Sequence, residues 1–126
     1  MSSLTIIIEG VRPTSKKNNL RPRKGGGFYT DAKVAPYEIA LQAQAMVAMQ
    51  AQGYEPTPDK TFIMRVRLGV KSYRSIDADN AVTTILDALQ GLCYTNDCYC
   101  MDLRVSKYLL GKKQTWRTEI NIEEVD

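Results

Sequence analysis

The sequence predicts an α+β domain: a four-stranded mixed sheet with two helices packed on one face. Three observations lead there. Four segments of strand length are rich in β-branched or alternating apolar residues, and two longer segments repeat apolar residues at helical spacing. Their order interleaves the two kinds: strand, helix, strand, helix, strand, strand, with a long basic segment after the first strand. The chain has 126 residues, 44% apolar and 25% charged, enough to bury a core in one domain over residues 1–126.

LTIIIEG (Leu4 to Gly10) is a β-branched run closed by glycine, a buried strand. VRPTSKKNNLRPRKGGGFYTD follows, with two prolines, three consecutive glycines and six basic side chains. It is too polar and too broken for a regular element, so residues 12–30 are expected to form a basic loop. Phe28 and Tyr29 at its end either stack on a base or, more commonly, anchor the loop in the core.

The first helix is expected from about Pro36, a residue suited to a first turn, to Gly53, a natural stop. Tyr37, Ala40, Leu41, Val47 and Ala48 make its apolar stripe. TFIMRVRLGVK then alternates. Phe62, Met64, Val66, Leu68 and Val70 point one way, and Arg65, Arg67 and Lys71 form a solvated basic face. After YRSID the period changes: Val82, Ile85, Leu86 and Leu89 predict a helix over Asp79–Gln90, closed by Gly91. A third strand carries Tyr99, Met101, Leu103 and Val105 on one face. GKKQ makes a hairpin-like turn, and a fourth strand, with Trp116, Thr118, Ile120 and Ile122 on one face, runs antiparallel to the third.

Composition narrows the chemistry. There is no histidine and there are three cysteines, an odd number. Ser-His-Asp, Cys-His and histidine–zinc chemistries are excluded within one chain, and neither a disulfide framework nor a four-ligand zinc site fits. No apolar run approaches a bilayer span, and no charged segment leads into a signal-peptide core, so a soluble cytoplasmic protein is expected.

Charge is distributed unevenly. Residues 1–35 hold seven basic side chains (Arg12, Lys16, Lys17, Arg21, Arg23, Lys24, Lys33) against Glu9 and Asp31. Residues 75–103 hold five aspartates and no basic residue. A polyanion would be drawn to the first region and repelled by the second unless a divalent cation sat there. Asp77 and Asp79, spaced i, i+2 where a strand gives way to a helix, point to the same side in extended geometry. One of them is expected at the helix N-cap, a favoured place for aspartate, which leaves the other unexplained. Asp97, in the turn before the third strand, is expected to converge with them at one edge of the sheet. Three carboxylates form an all-oxygen site suited to Mg²⁺ or Mn²⁺. Such a cation bridges phosphate oxygens and lowers the pKa of a bound water. Asp87 lies outside the apolar stripe, near Asp79 on the helix wheel, where a merely solvent-facing role is the common one.

The string D-x-D-N (Asp77, Asp79, Asn80), then D-A-L (Asp87 to Leu89), then Asn96-Asp97 and a strand holding Lys107 resembles the RusA family of Holliday junction resolvases. So do PTSKKNN at 13–19, an arginine-rich loop ending near YT, and a helix beginning around Tyr37-Glu38. The resemblance implies a RusA-like fold and a dimeric, metal-dependent endonuclease of a kind commonly carried by phages. Such enzymes hydrolyse phosphodiesters in symmetry-related strands of four-way DNA junctions in recombination and repair. It implies Asp77, Asp79 and Asp97 as catalytic metal ligands, with Asn80, Asp87 and Lys107 supporting. Lys16, Lys17, Arg21, Arg23, Lys24, Lys71 and Arg74 would hold DNA. Two positions depart from the family pattern: Thr83 stands where a lysine is usual, and Asn96 where an aspartate is usual. They motivate an alternative, a junction-binding protein of the same fold with weak or lost cleavage.

Overall fold

The computed structural model describes residues 2–14, 20–22, 28–30 and 35–125. Its four-stranded sheet is built from β1 (Ser3–Glu9), β4 (Phe62–Val70), β5 (Cys100–Leu109) and β6 (Arg117–Glu124), in the spatial order β1-β6-β4-β5. The helices are α1 (Ala35–Gln52) and α2 (Ala78–Leu89). The expected α+β class and mixed sheet are therefore present, and both helices start and stop within a residue or so of the expected bounds.

Alternation explains the layering. β6 is buried at every second residue, and so are β1 and most of β4. Leu4, Ile6, Ile8, Met64, Val66, Leu68, Ile120 and Ile122 thus form a continuous apolar face. Tyr37, Leu41 and Ala45 of α1 and Ile85 and Leu89 of α2 belong to the same buried cluster. Fully burying a side chain of this kind contributes about 1.5–3 kcal/mol. The Tyr37 hydroxyl satisfies its polar end in a 2.9 Å hydrogen bond with Thr118 Oγ1, and Phe62 stacks on Tyr94 with centroids 4.4 Å apart. On the opposite face Arg65 pairs with Glu123 at 3.3 Å, Arg67 with Glu119 at 3.4 Å, and Arg117 with both Glu119 and Glu9. The strand arginines are thus spent on exposed ion pairs, each worth little.

Four expectations need correction. Within 12–30, Leu20–Pro22 (β2) and Phe28–Thr30 (β3) pair antiparallel as a short ribbon instead of remaining loop. β5 and β6 run in opposite directions but are not neighbours. The connection over 110–116 passes the end of β4, where Leu110 N–H donates to Val70 O at 2.9 Å, and β6 lies on the far side of β4. A polar turn starts a hairpin and a crossover equally well, so GKKQ did not distinguish them. On β5, Met101 and Leu103 are exposed at 60% and 41%, because β5 is an edge strand that the helices cover only in part. Val47 of the expected α1 stripe is likewise 61% exposed.

The connection β4–α2–β5 decides where the acidic residues go. β4 and β5 are parallel, with Phe62 opposite Cys100 and Val70 opposite Leu109. A helix joining parallel neighbours must run back along the sheet. α2 therefore starts at the end where β4 finishes and ends where β5 begins.

Candidate functional site

The segment 71–76 carries the chain from β4 to α2 as a braced turn. Ser75 N–H donates to Ser72 O at 3.0 Å, Ser72 N–H to Ser75 Oγ at 3.1 Å, and Arg74 N–H to Ser72 Oγ at 3.2 Å. Two cations hold it from outside. Lys107 Nζ donates to the carbonyls of Tyr73 (2.8 Å) and Ile76 (3.0 Å). Arg12 donates to Ser75 O at 3.3 Å while its guanidinium lies over the Trp116 ring, 5.4 Å from the centroid. Ile76 is buried and anchors the exit of the turn. Lys71 is tied to Gln114 O, and Tyr73 and Arg74 project from the turn into solvent.

Asp77 follows with extended backbone, φ −77° and ψ 135°, the geometry of an N-cap, yet its carboxylate makes no capping hydrogen bond. Asn80 Nδ2 donates to Asp77 Oδ2 at 3.3 Å, and Asn80 itself is buried. Asp79 lies in the first turn of α2 with its side chain exposed and no ion pair among the described residues. The capping explanation for Asp77 therefore fails, and two exposed carboxylates stand within two residues of each other. The positive end of the α2 dipole offsets part of their repulsion. Thr83 cannot replace a lysine there: its hydroxyl is turned back onto Asp79 O at 2.9 Å.

Asp97 is elsewhere. It opens a single 3₁₀ turn (Asp97–Tyr99) leading into β5, and its N–H donates to Gln90 Oε1, just beyond the last residue of α2, at 2.9 Å. Asn96 caps that turn, its Oδ1 accepting from Cys98 N–H at 2.9 Å. Asp77 and Asp97 thus mark opposite ends of α2, a helix of 12 residues, and about 18 Å separates them at 1.5 Å rise per residue. The expected convergence does not occur within one chain, because the strand entrance that Asp97 serves lies at the far end of the crossover. Among the described residues no group of three acidic or cysteine side chains is placed to hold a metal. Asp87 sits toward the Asp97 end. The charges of Asp97 and Asp87 add to burial, the main cause, in raising the pKa of Tyr94.

Asp77, Asp79 and Asn80 are thus brought together, with Lys107 bracing the turn before them. Lys16, Lys17, Arg23 and Lys24 lie outside the described residues, as does the side chain of Arg21 in β2. Sequence reasoning missed Arg12 as a brace. Its only available signal was membership of the basic cluster. In kind, the donors at the start of α2 suit a hard cation: two carboxylates and a side-chain amide, all-oxygen and not neutralised by a neighbouring cation among the described residues. In number they leave positions for phosphate, water and at least one further carboxylate.

The sequence matches the protein family described as Endodeoxyribonuclease RusA over residues 10–123, nearly the whole chain. No curated protein matches it. Among the described residues no helix is long and apolar enough to cross a membrane.

Proposed function

The chain belongs to the RusA endodeoxyribonuclease family, and from that premise we propose that it is a metal-dependent endonuclease resolving four-way DNA junctions as a twofold dimer. The observation that carries the reading is Asp77, placed as an N-cap but not capping, with Asp79 beside it and no cation paired with either among the described residues. Mg²⁺ or Mn²⁺ held there would neutralise both carboxylates and polarise the phosphodiester to be cut. The third ligand we assign to Asp97 of a second copy, since Asp97 of the same chain lies a helix length away. Two cuts related by symmetry call for two such corners across a twofold axis. Lys107 and Arg12 fix the turn that presents Asp77. Lys71, Arg74 and the basic residues between 16 and 24 draw DNA phosphates toward it.

The test is a nicking assay on a synthetic four-way junction with Mg²⁺ or Mn²⁺. The wild type cuts, and Asp77→Asn lowers the rate by about 100-fold or more while still binding the junction. Because Asp77 makes no capping bond, that variant should unfold within about 0.5 kcal/mol of the wild type. Intact junctions with either metal would remove the enzymatic reading. The Thr83 hydroxyl folded onto its own helix favours one alternative, a junction binder without turnover. Tight metal-independent binding without product, converted to cutting by Thr83→Lys, would establish that instead.

A further inference from the structure

We infer that the second copy joins through the open edge of β5, two β5 strands pairing antiparallel about Leu103 so that Asp102 of each copy faces Arg104 of the other. This rests on the twofold reading above and adds the surface that makes it.

The two edges of the sheet are treated differently. At β1, Gln52 from the end of α1 accepts from Thr5 N–H at 2.9 Å and donates to Thr5 O at 2.8 Å. One side-chain amide thereby makes the pair of hydrogen bonds that a neighbouring strand would make, and the β1 edge is closed to pairing at its middle. Nothing of this kind covers β5 among the described residues; the Cys100 thiol, a weak donor, lies 3.6 Å from Asp102 O. β5 is also the longest strand, 10 residues, and exposes Met101, Leu103 and Leu109. A long edge with apolar side chains and free backbone groups is a template for another strand.

The side chains select both partner and register. Val66 pairs with Val105 and Arg65 with Arg104 across the β4–β5 ladder. Leu103 and Val105 therefore lie on the helix side of the sheet, and Asp102 and Arg104 on the other. Residues directly opposite in an antiparallel pair share a face, so a twofold at Leu103 sets Asp102 against Arg104 on both sides of the axis. The Asp102–Arg104 contact at 3.5 Å within one strand is then exchanged for two across the interface. Met101 meets Val105, and Leu103 meets its own copy. A twofold at Arg104 would put like charges face to face. The chosen register also sets the turn bearing Asp97 alongside Leu109 of the other copy. That is the end of the sheet from which Asp77 and Asp79 project.

The experiment needs neither DNA nor metal. Sedimentation velocity is run on the wild type, on Arg104→Asp, on Asp102→Arg, and on a mixture of the two variants, with circular dichroism confirming the fold of each. The wild type should dimerise. Each single variant, with like charges opposed, should show a dissociation constant raised by about tenfold or more. The mixture should dimerise again, because each chain supplies what the other lacks, and a chain carrying both Asp102→Arg and Arg104→Asp should behave as wild type. A monomeric wild type, unaffected single variants, or a mixture that stays apart would overturn the inference. So would loss of the dimer in Val47→Lys, which marks the exposed face of α1 instead. A dimer that passes this test but never nicks a junction counts against the nuclease reading and leaves the interface standing.

Discussion

Asp77 and Lys107 show how single residues divide the work. The carboxylate contributes little to the fold, since its one partner among the described residues is the 3.3 Å contact from Asn80. In the proposed reaction Lys107 would act as a positioning residue, because its ammonium satisfies two carbonyls of the turn that leads into Asp77. Lys107→Met should therefore slow junction cutting about 10- to 100-fold through misplacement of the aspartates. It should also lower stability by about 1–2 kcal/mol through the two lost charged hydrogen bonds, with junction affinity nearly unchanged. Chemical denaturation, nicking rates and a binding titration together separate this from a phosphate-gripping role, in which affinity falls first. The pair at 77 and 79 was legible in the sequence, because two aspartates at a strand-to-helix junction exceed what one cap requires. The brace by Arg12 and Lys107 was not: it joins residues more than 30 positions apart and has no local pattern.

Among the elements, periodicity gave both helices and all four strands of the sheet almost at their observed bounds. Neighbour relations are what it left open. β6 reads as a half-buried strand whichever side of β4 it occupies, and β5 reads as apolar although its exposed residues belong at an edge. The misplacement of Asp97 has the same origin. A right answer required knowing that β4 and β5 are parallel, which sends α2 back along the sheet. β6 and α1 are fastened by the buried Tyr37–Thr118 hydrogen bond. Thr118→Val keeps the shape and strands the phenol, so it should cost about 1–3 kcal/mol in a urea melt. Tyr37→Phe combined with Thr118→Val should recover part of that loss.

At the level of the whole molecule, the buried acids set an alkaline limit. Burial raises the Cys93 thiol to about 12 and also raises the pKa of Tyr37, Tyr54 and Tyr94. Each group is neutral in the fold and ionises more easily in the unfolded chain. Stability is therefore complete below the unfolded thiol value and falls as pH climbs from about 9 toward 12. Denaturation midpoints measured at successive pH values should be flat near neutrality and decline above about pH 9. Over the same range Cys98, which is exposed, should react with thiol reagents well before Cys93. One chain offers two carboxylates at one end of α2 and the third at the other, and in the proposed dimer the second copy would bring all three to one corner. Mixed dimers test this directly: Asp77→Asn and Asp97→Asn chains are each assayed alone on a four-way junction, then together after subunit exchange. Each alone should be inactive, and the mixture should regain cutting at roughly a quarter of the wild-type sites, because half of the dimers then hold one intact corner. A mixture as inactive as its components would contradict the account.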